Sequence, residues 1–100
     1  MREPEPDFRE PIANDVRRRR LLYRASHRGT YENDLLLGSF VASRLAEFSD
    51  VDLDVLEALL ELPDVDLADY LTGRRAIPPE DDSPMLRRIK EAAEAGEARP

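Results

Sequence analysis

The chain has 100 residues, of which 41% are hydrophobic, and its formal net charge is −7. This length predicts one domain with a core of its own and is too short for a cofactor domain joined to a catalytic domain. The absence of cysteine excludes disulfides, thiolate nucleophiles and cysteine-ligated metal centres. The single histidine, His27, cannot build a metal site alone, and the four glycines never cluster into a dinucleotide-binding loop.

The amino terminus is acidic and rich in proline. Residues 1–11 contain four acids and three prolines, unlike a signal peptide or an arginine-rich presequence. No apolar run approaches the ~20 residues that span a bilayer. We therefore predict a cytoplasmic bacterial protein with no membrane-inserted segment, in which residues 1–13 form a flexible arm.

Opposite charges are concentrated in two blocks of the sequence. Residues 17–28 hold six arginines and no acid, whereas residues 45–73 hold nine acids and no lysine or arginine. Either the blocks orient the chain in a partner's field, or they attract each other within the fold. The arginine run does not predict nucleic-acid binding, because the chain is acidic overall and the run contains no interleaved aromatic residues.

The first half of the chain predicts two helices joined by a glycine. Helix 1 starts at Asn14 or Asp15 and runs to about His27. Gly29 lies just past its end, where a left-handed backbone is needed. Thr30 can then cap helix 2, which runs to about residue 48 on an apolar face of helical spacing.

The second half predicts three shorter helices. Ser49, Asp50 and Asp52 are the candidate caps of helix 3, which stops at Pro63. Asp64 or Asp66 caps helix 4, and Gly73 ends it. After an extended linker over residues 74–83, a fifth helix has its first turn at residue 84, and its thin apolar stripe makes it the least committed element. The fold class is all-α: a single domain over residues 14–95, arranged as a small antiparallel five-helix bundle with frayed residues 96–100.

The most informative stretch is a pentad, residues 28–32, that reads Arg-Gly-x-x-Glu and is followed by Asp34. A second block reads Leu59-Leu60-Glu61, then an acidic turn over residues 63–67, then Tyr70-Leu71-x-Gly73. Together the two blocks resemble a family of flavinylation factors for succinate dehydrogenase, over about residues 15–95. Thr30 departs from the hydrophobic residue that is commoner at its place.

This resemblance implies a non-enzymatic assembly factor. Members are small all-helical proteins that bind the flavoprotein subunit of succinate dehydrogenase, and often of fumarate reductase. They promote covalent attachment of FAD to a histidine of that subunit. The resemblance implies that the present chain has no catalytic residue and acts on its partner's FAD. Because the chain is small and lacks a phosphate-binding loop, we expect it to bind no FAD itself, and we expect a monomer. The partner-binding residues carried over are Arg28, Gly29, Glu32 and Asp34.

The residues alone leave two interpretations of the pentad open. Arg28 and Glu32 are both largely exposed and contact a partner, or they pair with each other across the bend and Gly29 is only a helix cap. Two alternatives to a flavinylation factor also remain: an antitoxin-like regulator and a generic acidic helical adaptor.

Overall fold

The structure, a computed structural model, describes the backbone of residues 6–96 and the side chains of residues 15–96. This part of the chain forms five α-helices and contains no strand, so the predicted all-helical fold is confirmed. The helices are α1 (Pro6–Ser26), α2 (Tyr31–Arg44), α3 (Asp50–Leu60), α4 (Asp64–Thr72) and α5 (Pro84–Glu94), with 3₁₀ turns at Leu45–Glu47 and Pro79–Asp81. Within the same residues, no helix is long and apolar enough to cross a membrane.

Several predicted boundaries are wrong. Helix α1 begins at Pro6 and not at Asn14 or Asp15; proline is tolerated as a first helical residue, because its missing N–H would have no intrahelical acceptor there. Helix α2 ends at Arg44 and continues as a 3₁₀ turn. Pro63 occupies the cap position of α4, so Asp64 is its first residue and does not cap it. Residues 1–5 and 97–100, which include most of the predicted frayed end, lie outside the described residues.

Other local predictions are confirmed. The Ser49 side chain accepts a hydrogen bond from the Asp52 amide, and the Asp52 carboxylate accepts one from the Ser49 amide, which forms a capping box at the start of α3. Gly73 has a left-handed backbone at the end of α4, with φ of 80°. Each device satisfies backbone groups that a helix end would otherwise leave unpaired.

The core runs through all five helices. Helix α5 is anchored more firmly in the core than its thin apolar stripe suggested, because Met85, Leu86 and Ile89 are at most 3% exposed. The largest fully buried hydrophobic side chains from the other elements are Leu37, Val41, Leu53, Leu56, Leu67, Tyr70 and Leu71.

Helices α1 and α2 form a close antiparallel pair. A Cβ added at Gly38 would lie 2.8 Å from Ser26 Oγ and 3.3 Å from Ser26 Cα, so the two backbones approach closely at this glycine. At the other end of the pair, the Arg18 guanidinium donates to the Phe48 carbonyl at 2.8 Å and to the Leu45 carbonyl.

The basic block and the acidic block face each other in the structure. We call the three α1-side arginines that pair across this interface the arginine ladder: Arg17 with Asp54 (2.6 Å) and Glu57 (2.9 Å), Arg24 with Glu61 (2.7 Å), and Arg28 with Asp64 (2.5 Å). These contacts therefore support the second interpretation of the charge layout, in which the two blocks attract each other within the fold. As the arginine number rises along α1, the number of its acidic partner rises as well. Helices α1 and α3 are therefore parallel, and α2 is antiparallel to α1.

Candidate functional site

The turn between α1 and α2 holds the pentad. Gly29 is exposed and has φ of 101°, and a Cβ built on it meets no atom within 4 Å, which confirms the predicted left-handed glycine. The Asp34 carboxylate accepts a hydrogen bond from the Arg28 amide at 2.5 Å and so closes the turn from within. Thr30 stands at the cap position of α2, but its side chain makes no capping hydrogen bond.

The Arg28 side chain is turned inward and is only 11% exposed. Its guanidinium donates to Asp64 Oδ1 at 2.5 Å, to the Leu60 carbonyl at 2.8 Å and to the Leu62 carbonyl at 2.7 Å. Carbonyl oxygens at the end of a helix have no intrahelical donor, and a planar guanidinium fork can serve several of them at once. Arg28 therefore fastens the α1–α2 turn to the α3–α4 turn.

Asn33 makes a second link between the same two turns. Its side chain is 1% exposed, and its Nδ2 donates to the Asp64 carbonyl at 3.0 Å. The Asn33 Oδ1 atom is buried without a hydrogen-bond partner. Asn33 and Asp64 were not among the predicted site residues, although both belong to the two blocks that carried the resemblance. In an up-and-down bundle the first and third connections between helices lie at the same end. This rule could have predicted that the α1–α2 turn and the α3–α4 turn lie next to each other.

The predicted exposure of Arg28 and its predicted pairing with Glu32 are both wrong, while its contact with a partner stays a prediction. The Arg28 side chain is not largely exposed. Its N–H groups donate hydrogen bonds to two backbone carbonyls and one carboxylate that are themselves only partly accessible. Nor are its partners the expected ones within the pentad, since they lie on Asp64 and at the end of α3. Burial of the guanidinium follows from its several acceptors, which offset the cost of removing the charge from water.

The outer side of the turn is formed by exposed residues. Glu32 lies in the first turn of α2, where the helix dipole stabilises its carboxylate, and its side chain is exposed as predicted. Tyr31 is 77% exposed and Tyr23 is 62% exposed. The Tyr23 ring stacks on His27 with centroids 3.9 Å apart, and His27 Nδ1 donates to the Tyr23 carbonyl at 2.9 Å. We call Tyr23, His27, Gly29, Tyr31 and Glu32 the turn surface.

The second block ends at Tyr70, which is a core residue. Tyr70 is 1% exposed, and its hydroxyl donates to Asp81 Oδ2 at 2.6 Å, which ties α4 to the 3₁₀ turn before α5. The hydrogen bond to Asp81, together with burial, raises the pKa of Tyr70 to about 12. The Arg75 guanidinium lies 5.0 Å from the centre of the Tyr70 ring.

The structure thus separates the predicted partner-binding residues into two kinds. Gly29 and Glu32 are accessible, whereas Arg28 and Asp34 hold the turn together through hydrogen bonds within the chain. Among the side chains of residues 15–96, no three histidine, aspartate or glutamate groups are arranged to hold a metal ion. Fold and site together define a small all-helical protein with an accessible turn surface and a rigid support behind it.

Comparison with known proteins places the chain in a family. Residues 19–93 match the family described as Sdh5, flavinator of succinate dehydrogenase. Because this match covers most of the chain, the protein belongs to that family, and the resemblance drawn from the pentad and the second block is confirmed. Members are assembly factors and not enzymes, as predicted.

Individual relatives agree with this placement. The FAD assembly factor SdhE of Acetobacter pasteurianus is 48% identical over 76 residues, which cover 76% of this chain and 70% of the relative. The mitochondrial succinate dehydrogenase assembly factor 2 of Debaryomyces hansenii is 37% identical, with coverage of 90% and 66% respectively. The factor of the same name from Scheffersomyces stipitis is 34% identical, with coverage of 89% and 62%. The chain thus spans less than two thirds of each of these two fungal relatives.

Proposed function

We propose that this protein is an FAD assembly factor that binds the flavoprotein subunit of succinate dehydrogenase and promotes covalent attachment of FAD to a histidine of that subunit. It acts as a monomer in the bacterial cytoplasm, and the flavoprotein subunit of fumarate reductase is a second client. Family membership over residues 19–93 is the observation that carries this proposal.

The turn surface supports a role in client binding. Exposed tyrosines are frequent energetic anchors of protein interfaces, and Tyr23 and Tyr31 flank the turn. Gly29 presents backbone without a side chain, so a partner chain can approach it closely. Glu32 offers a carboxylate for which the described residues supply no ion-pair partner, so it is available to donors on the client.

Arg28 and the two residues that follow the pentad give this surface a fixed shape. Arg28 and Asn33 fasten the turn to the α3–α4 connection, and Asp34 holds the Arg28 amide. A rigid surface loses little conformational entropy on binding. We propose that it holds the client in the arrangement that brings bound FAD to the acceptor histidine, which lowers the barrier by positioning and without a chemical group from this chain.

Covalent flavin in the client gives the direct test. The gene is deleted, and the succinate dehydrogenase flavoprotein subunit is scored by in-gel flavin fluorescence after denaturation. We expect the fluorescence to fall strongly on deletion and to return with the wild-type gene. Unchanged fluorescence in the deletion strain would refute the proposal and favour an antitoxin-like regulator or an unrelated adaptor.

Two glutamate variants localise the activity. Glu32→Ala should fold normally and fail to restore covalent flavin, because an exposed carboxylate contributes little to folding but can be desolvated in a complex. Glu47→Ala, which removes an exposed carboxylate from the 3₁₀ turn after α2, is the matched control. Equal restoration by both variants would show that Glu32 has no part in client binding.

A further inference from the structure

A groove lies beside the turn surface, where three helices meet. It has a volume of about 260 Å³ and is lined by Glu32, Leu36, Leu71, Thr72, Ala93 and Glu94. Leu36 and Leu71 are buried and form an apolar floor, while Glu32 and Glu94 are exposed at the rim. We call it the Glu32 groove.

Two helix carboxyl ends at the groove add to its negative potential, whereas the amino end of α2, which carries Glu32, opposes them. Thr72 is the last residue of α4, and Glu94 is the last residue of α5. Neither helix has a basic residue in its last turn, so the partial negative charge at each carboxyl end is not offset there. Two carboxylates and two helix carboxyl ends therefore surround one small apolar depression.

The basic residues that follow α4, and Lys90 of α5, are paired with acids of this chain. They are Arg74 with Asp69 (3.5 Å), Arg75 with Asp66 (2.5 Å) and Asp69 (3.5 Å), and Lys90 with Glu94. Lys90 offsets one rim carboxylate, but no cation is paired with Glu32 among the described residues. An anionic rim remains over an apolar floor.

We infer that the Glu32 groove receives a lysine or arginine side chain of the client flavoprotein subunit; this inference rests on the proposed function. Long basic side chains have an apolar stem and a charged head, and they lie along apolar surface with the head at a polar edge. The stem would contact Leu36, Leu71 and Ala93. The head would then reach the Glu32 carboxylate and the last carbonyls of α4.

A matched pair of substitutions at Thr72 tests the charge of the occupant. Thr72→Arg places a cation in the groove, at a helix end where a cation is tolerated, and Thr72→Glu adds a shorter side chain of opposite charge. Binding is measured by calorimetry against the FAD-loaded flavoprotein subunit of the same organism's succinate dehydrogenase. We expect Thr72→Arg to raise Kd roughly tenfold or more and Thr72→Glu to raise it much less.

Salt dependence and a remote charge complete the test. Glu32→Gln should weaken binding and reduce the slope of log Kd against log salt, because one charge pair is lost. Ala58→Arg adds the same charge to an exposed position of α3 that does not line the groove, and we expect it to bind like wild type. Circular dichroism and thermal unfolding establish that all four variants are folded.

Each other outcome has a distinct meaning. Wild-type affinity in Thr72→Arg would overturn the groove inference and leave the proposed function standing. Equal losses in both Thr72 variants, or an equal loss in Ala58→Arg, would exclude a basic occupant. Wild-type self-association abolished by Thr72→Arg would make a second copy of this chain the occupant and overturn the inference. If wild-type protein does not bind the flavoprotein subunit, the proposed function itself fails.

Discussion

The two charged side chains of the pentad, four positions apart, have opposite surroundings. Arg28 donates three hydrogen bonds into the α3–α4 connection, whereas Glu32 lies exposed in the first turn of α2. Loss of flavinylation in an Arg28 variant would therefore report on folding as well as on client contact. The pentad combines a support residue with a surface residue, and single substitutions separate the two.

Arg28→Ala should lower the free energy of unfolding by about 2–4 kcal/mol. The change leaves the Leu60 and Leu62 carbonyls without their donor and removes the partner of Asp64, and an unpaired, partly buried polar group is costly. Chemical denaturation compared with wild type measures the loss. The exposed Arg20 in α1 supplies the control, since Arg20→Ala should change stability by less than about 0.5 kcal/mol. Equal stability of wild type and Arg28→Ala would show that the inward fork contributes nothing to folding.

Gly29→Ala should cost about 1–2 kcal/mol of folding stability and a larger part of client binding. The loss of folding stability comes from backbone strain at φ of 101° alone, because an added Cβ would contact no other atom. Parallel measurement of thermal unfolding and of subunit pull-down separates the two effects. Gly73→Ala, at φ of 80° and also in open space, is the matched control for the stability loss alone, because Gly73 adjoins Thr72 of the Glu32 groove. If Gly29→Ala retains wild-type client binding, Gly29 acts only as a turn residue.

At the scale of helices, the sequence predicted the elements better than their ends. Capping and the left-handed glycine are local effects, so three helix ends could be predicted: the start of α3 at Ser49, the end of α4 at Gly73 and the start of α5. The inward fork of Arg28 was not predictable in this way, because its acceptors are 32 to 36 residues away. The exposed Glu32 could be predicted from its place at the helix start, whereas the burial of Asn33 depends on the packing of α2 against α4.

The hydrogen bond from Tyr70 to Asp81 predicts a loss of stability in alkaline solution. The pKa of Tyr70 is about 12 in the fold and close to 10 in the unfolded chain. Between these values the unfolded chain releases the proton first, so the stability from this group is complete below pH 10 and is lost as pH rises towards 12. Urea unfolding at several pH values should show this decline in wild type and a smaller one in Tyr70→Phe. Identical pH profiles would contradict the assignment.

At the scale of the whole molecule, the grooves on the described surface bear on whether this chain could enclose a molecule of the size of FAD. Three grooves on the described surface have volumes of about 250, 260 and 400 Å³. Sites for drug-sized ligands are ~300–1,000 Å³ and bury most of the ligand, and FAD is larger than such ligands. The four glycines are isolated from one another, so no glycine-rich loop is available for the pyrophosphate.

We therefore expect the isolated protein not to bind FAD at micromolar concentration. Titration of FAD with the protein should leave the flavin fluorescence unquenched, while the same titration with the apo flavoprotein subunit serves as the positive control. Saturable quenching in the micromolar range would contradict this expectation. In that case the mechanism to test would be delivery of the flavin by this protein, and not positioning of the client.

The arginine ladder has a consequence for register. Acids recur along α3 and its flanks at helical spacing, so moving α1 by one turn would offer Arg17, Arg24 and Arg28 new carboxylates at Asp50, Glu57 and Glu61. Charge attraction between α1 and α3 therefore does not by itself choose among these alignments. The free carbonyls at the end of α3 occur only once in that helix, and the Arg28 fork reaches them in a single alignment. The ion pairs favour contact between α1 and α3, and the Arg28 guanidinium at the end of α3 selects one alignment of the two helices.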